Sequence, residues 1–113
     1  MAESLMIRAI ALGLDPVGLS FHVGSQTKRA EMWIDTLDDV SAVWKSARAK
    51  GINLSLINIG GGFPAFYGEA IEPASIYAAR VMEMVEARFH GAKRVMAEPG
   101  RGMVAETGMI AAE

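Results

Sequence analysis

Three consecutive glycines, Gly60, Gly61 and Gly62, follow a short apolar stretch, and Glu98-Pro99-Gly100-Arg101 follows another. Glycines carry no side chain to hold a ligand away, so their backbone N–H groups can close on an anion. Arginine adds a forked, permanently charged donor suited to phosphate. A third group, His22-Val23-Gly24-Ser25-Gln26, also ends an apolar stretch. It offers a flat imidazole that can stack on an aromatic ring and, in a tight loop, the Ser25 hydroxyl. Glu98 ends its strand as a carboxylate that needs a partner if buried, and a protonated ring nitrogen would be one. These residue types together fit a phosphorylated cofactor or substrate.

Each group also has a plainer reading. The glycines alone fit a flexible turn equally well. They are neither a nucleotide P-loop, since no Gly-Lys-Ser/Thr follows, nor the dinucleotide fingerprint, whose glycine spacing differs. The Glu98–Arg101 segment could be a surface turn with a solvated ion pair, and a lone histidine is more often structural than catalytic. His90, before Gly91, reads as a helix-end residue compatible with the helix dipole. Two histidines far apart, with no His-x-x-x-His or Asp-x-Asp-x-Asp pattern, disfavour a metal. No Gly-x-Ser-x-Gly elbow supports a Ser/His/Asp triad.

The elements that must position these groups alternate in type. Residues 3–12 place Leu5, Met6, Ala9 and Ile10 on one helical face, with Gly13 as the stop. Pro16 opens a strand at 17–21. Residues 30–50 carry Trp33, Ile34, Leu37, Val40, Trp44 and Ala47 at helical spacing, ended by Gly51. Residues 54–59 form an apolar run of the kind a doubly covered parallel strand shows. Pro73 suits the first turn of a helix whose buried face is Tyr77, Val81, Met84, Val85 and Phe89, and Gly91 stops it. Residues 94–97 form the next strand, and 104–112 read as extended, broken at Gly108. Near-equal strand spacing predicts successive βα units, α/β in class. Parallel strands would bring all three groups to the face where such folds bind ligands, and in a barrel the last two loops often hold phosphate.

Composition excludes several roles. The 113 residues are 51% hydrophobic and 21% charged, which supports a packed core and opposes disorder. The formal net charge is −2 and the basic residues are scattered, so neither nucleic acid nor an anionic membrane is an expected partner. No apolar run nears the ~20 residues of a membrane span, and 1–4 lack the character of a signal peptide. The absence of cysteine excludes disulfides and thiolate chemistry and fits a cytoplasmic protein. The tryptophans read as core anchors and the eight methionines as core filler.

Taken together, residues 20–26, 58–64 and 97–101 resemble, in order and spacing, the pyridoxal-phosphate-dependent ornithine/diaminopimelate/arginine decarboxylases with the alanine-racemase-like barrel. Phe63-Pro64 after the glycines is more similar to the ornithine type. The resemblance implies a partial (β/α)8 TIM barrel over 1–103, containing about three C-terminal βα units, with 104–113 leading toward a C-terminal β-domain. It implies pyridoxal 5'-phosphate as cofactor and a small amino acid, ornithine above all, as substrate of the parent enzyme. His22 would stack on the pyridine ring, and Ser25, Gly60, Gly61, Gly62, Gly100 and Arg101 would bind the phosphate. Glu98 would pair with the pyridine nitrogen, so His22 and Glu98 are the expected catalytic residues.

The family's cofactor-attaching lysine belongs to the first barrel strand, and Lys28, Lys45, Lys50 and Lys93 fall outside its motif. A fragment without catalytic competence is therefore expected. Its open sheet edges and uncovered apolar surface favour a homo-oligomer. The rival readings are a non-catalytic homologue that regulates a polyamine-pathway partner, and a diaminopimelate decarboxylase or racemase-like barrel enzyme.

Overall fold

The computed structural model of the chain describes residues 1–108. Helix α1 (Ala2–Ala11) leads to strand β1 (Gly18–Ser20). A tight 3-10 turn, Ala30–Trp33, runs into α2 (Ile34–Ala49), so the expected single helix is two joined pieces. Strand β2 (Leu56–Asn58), helix α3 (Ala74–Arg88), strand β3 (Arg94–Met96) and the short helix α4 (Gly100–Val104) follow. The three strands form one parallel sheet in the order β1-β2-β3. This is an α/β architecture with a small parallel sheet.

Alternation along β2 decides its two faces. Ile57 and Ile59 are fully buried, while Leu56 and Asn58 between them are half-exposed. The buried face receives both long helices. Trp33, Leu37, Trp44 and Ala47 form one stripe of the core, and Tyr77, Val81, Val85 and Phe89 form the other. Trp44 meets Phe89 edge-on at 5.7 Å, and Phe63 packs against both Trp33 and Tyr77. The polar atoms of this core are satisfied: Trp33 Nε1 donates to the Tyr77 hydroxyl at 2.8 Å, which donates to the Thr27 carbonyl at 2.5 Å.

Four expectations need correction. Pro73 caps α3 from outside rather than sitting in its first turn. On α1 only Met6 is buried, while Leu5 is 65% and Ile10 48% exposed. Helix α1 packs mainly on α2, with Glu3 paired to Lys50 at the end of that helix, so one helix cannot cover the whole apolar face. Every residue of β3 is exposed, and so is Glu98, because β3 is an edge strand. Val104 closes α4 instead of opening a strand, with its carbonyl accepting the Thr107 N–H; the rest of the expected extended segment past 108 lies outside the described residues.

Candidate functional site

The sheet register explains why distant residues meet. Gly18, Leu56 and Arg94 stand side by side, as do Ser20, Asn58 and Met96. The equal steps carry past the strand ends to His22, Gly60 and Glu98, with Glu98 N donating to Gly60 O at 2.7 Å. Parallel pairing therefore delivers the three sequence groups to one end of the sheet.

There they line a cavity of about 180 Å³. Of the expected site residues, His22, Ser25, Gly61, Gly62, Glu98 and Arg101 border it, joined by Gln26, Phe63 and Pro99. Gly60 and Gly100 do not. Gly60 lies beneath, at φ +67°, where a Cβ would sit 2.1 Å from the Phe21 carbonyl oxygen. Gly100 opens α4 with open space around it.

Backbone conformation and close approach both demand glycine in the triplet. Gly62 has φ +101°, and its Cβ would lie 2.5 Å from the Gly24 carbonyl oxygen. At Gly61 a Cβ would press on His22 Nε2 and on the Glu98 carbonyl, each at 3.0 Å. A bare loop thus runs under the imidazole. The Gly24 N–H donates to His22 Nδ1 at 2.9 Å, which selects the tautomer carrying its hydrogen on Nε2.

Gln26, Thr27 and Asn58 escaped the sequence reading as functional positions, although all lie in or beside the motifs. Gln26 is held at φ +54°, and its amide exchanges two hydrogen bonds with the Ala65 backbone, as a strand neighbour would. Thr27 N donates to Gly62 O at 2.9 Å. Asn58 accepts the Gly60 N–H at 2.9 Å and donates to Glu98 Oε1 at 2.6 Å. An asparagine at a strand's C-terminal end, two residues before a glycine turn, was the available signal.

Arg101 and Glu98 both border the cavity, so it carries a cation and a carboxylate, and Asn58 donates to that carboxylate. The Arg101 guanidinium lies 5.7 Å from the centre of the Tyr67 ring, which supports it on one face. Nearby, the Lys28 ammonium holds the exposed Glu69 carboxyl below its usual range by hydrogen bonding and charge. Below the site, burial pushes the Tyr77 hydroxyl above its usual range.

The family model described as the pyridoxal-binding domain of pyridoxal-dependent decarboxylases matches residues 1–105. Ornithine decarboxylase 2 of Drosophila melanogaster is 36% identical over 104 residues, spanning 91% of this chain and 26% of its own length. The diaminopimelate decarboxylase of Vibrio cholerae is 32% identical over 98 residues, 86% of this chain and 23% of that protein. The lysine/ornithine decarboxylase of Vibrio vulnificus, solved with cadaverine, superposes with a TM-score of 0.79 at 31% identity, over 90% of this chain and 28% of that one. The chain therefore spans about a quarter of the length of the relatives it matches. On this match, the chain belongs to the pyridoxal-binding domain family of the pyridoxal-dependent decarboxylases.

Proposed function

We propose that this chain is the part of an ornithine-type decarboxylase that holds the phosphate and pyridine-nitrogen half of pyridoxal 5'-phosphate. The observation that carries the reading is the cavity itself, which Ser25, Gly61, Gly62 and Arg101 border together with His22 and Glu98. The residues fit the group: a crowded glycine triplet lets the backbone lie close to a ligand, and a carboxylate tied by Asn58 faces the same space.

Ser25, Gly61, Gly62 and Arg101 bind the phosphate, with Gly60 shaping the turn and Gly100 bringing the chain into α4. His22, which borders the cavity, would offer its imidazole to one face of the ring. Glu98 keeps a proton on the pyridine nitrogen. When bound, the cofactor supplies an electron sink for the charge left as a carboxylate departs as carbon dioxide. Glu98 strengthens that sink by favouring the positively charged ring.

The substrate class is a small amino acid, with ornithine first and polyamine biosynthesis as the setting; Phe63-Pro64 supports that choice over diaminopimelate. Phe63 is also a packing residue against Trp33 and Tyr77, which weakens it as a discriminator. The parallel sheet supports a partial (β/α)8 barrel over 1–103, with 104–113 leading on toward a β-domain. Among the described residues no lysine borders the cavity, so the residue that attaches the cofactor is not supplied from this set. The exposed edge of β3 supports self-association, and the cysteine-free composition a cytoplasmic setting.

Calorimetric titration of pyridoxal phosphate, repeated with Arg101→Ala and in excess inorganic phosphate, tests the reading. Saturable binding that both controls remove is the expected result. Binding indifferent to both would show that the phosphate is not held here.

A further inference from the structure

Asn58 links the glycine turn to Glu98. Its side chain leaves the end of β2, and one planar amide reaches two neighbouring loops: Oδ1 accepts the Gly60 N–H at 2.9 Å, and Nδ2 donates to Glu98 Oε1 at 2.6 Å. Only one orientation of the amide satisfies both partners, because a backbone N–H needs an acceptor and a carboxylate needs a donor.

We propose that Asn58 is a positioning residue that sets Glu98 against the glycine triplet. The existence of the bridge rests on geometry alone, and its consequence rests on the cofactor reading above. Glu98 is exposed, on a loop after an edge strand, and its long side chain has rotamer freedom to lose. The bridge removes that freedom. It occupies Oε1 and leaves Oε2 as the oxygen to meet a ring nitrogen. It also fixes the distance between the phosphate end, through Gly60, and the nitrogen end, through Glu98. A rigid ligand with a phosphate at one side and a basic nitrogen at the other needs that distance held. Asparagine suits the position because aspartate would set a second carboxylate against Glu98, and leucine would satisfy neither partner.

The test has two arms, both on the 113-residue chain. In the ligand-free chain labelled with 15N, Glu98→Ala should move the Asn58 side-chain amide resonances. Asn58→Ala should speed exchange of the Gly60 N–H about tenfold, whereas Asn58→Asp, which keeps an acceptor there, should leave it near wild type. An Asn58 amide blind to Glu98→Ala would overturn the bridge. In the second arm, pyridoxal phosphate labelled at its ring nitrogen is bound. The nitrogen resonance should move toward its unprotonated position in both Asn58 variants, while inorganic phosphate affinity in Asn58→Asp stays within about twofold. An unmoved ring resonance in both variants would overturn the positioning role. A wild-type chain that shows the bridge but takes up no pyridoxal phosphate would count against the cofactor reading and leave the bridge standing.

Discussion

Trp33 Nε1 donates to the Tyr77 hydroxyl at 2.8 Å, and that hydroxyl passes its own hydrogen to the Thr27 carbonyl at 2.5 Å. This buried relay ties the start of α2 to α3 and to the loop that carries Ser25 and Gln26. It couples the helix layer to the site, because Thr27 N in turn grips the Gly62 carbonyl.

Removing the hydroxyl should therefore cost more than one ordinary hydrogen bond. Tyr77→Phe leaves the Trp33 N–H and the Thr27 carbonyl buried without a partner, a loss of about 1–3 kcal/mol. Chemical denaturation of wild type and variant measures it. A midpoint unchanged at equal slope would show that water or a small shift replaces the relay.

The same residue predicts an alkaline limit to stability. Burial raises the Tyr77 hydroxyl above its ordinary value of 10.0. Above that value the unfolded chain gives up the proton while the folded chain keeps it, so the folded state binds more protons and stability falls as pH rises. Below about pH 9 this contribution is constant. The difference in unfolding midpoint between wild type and Tyr77→Phe should accordingly narrow from pH 9 to pH 11. A constant difference across that range refutes the assignment.

Alanine substitutions should separate the glycines of the site. Gly60→Ala and Gly62→Ala each force a methyl into a carbonyl oxygen at a positive φ, and should abolish pyridoxal phosphate binding with loss of stability. Gly100→Ala meets open space at the first position of α4 and should fold normally. Thermal unfolding and calorimetry on the three variants decide this. Equal damage at all three would mean that local crowding is not what selects glycine.

The free edge of β3 should drive association. Val95 and Met96, 37% and 49% exposed, lie on a strand paired on one side only. Met96→Lys should lower any self-association seen by sedimentation velocity, because a charged edge resists pairing with another strand. Wild-type chain that sediments as a monomer at high concentration would remove the prediction's basis.

Much of this protein was legible in local pattern. Helical spacing placed Trp33, Ile34, Leu37, Val40, Trp44 and Ala47 on one face and Tyr77, Val81, Met84, Val85 and Phe89 on another; eight of these eleven are buried, Val40 and Met84 are half-buried, and Ile34 is exposed. Such stripes depend only on the helix period. Near-equal steps between strands likewise implied that the three motifs would share one end of a parallel sheet. Other features depended on what lies across space. The apolar face of α1 had the right period, yet Leu5 and Ile10 are exposed, because burial requires a neighbour as well as a pattern. Glu98 read as the end of a buried strand, but the edge position of β3 leaves it open. The Asn58 link to Glu98 joins residues 40 apart in the chain, and no local rule encodes it. Sequence by itself determined the elements, the order of the motifs and the family to which they point, since these follow from short-range periodicity and residue chemistry. Tertiary structure decided which groups share a cavity, which are tethered and which stay exposed, since those properties belong to pairs of residues that only the parallel register brings together.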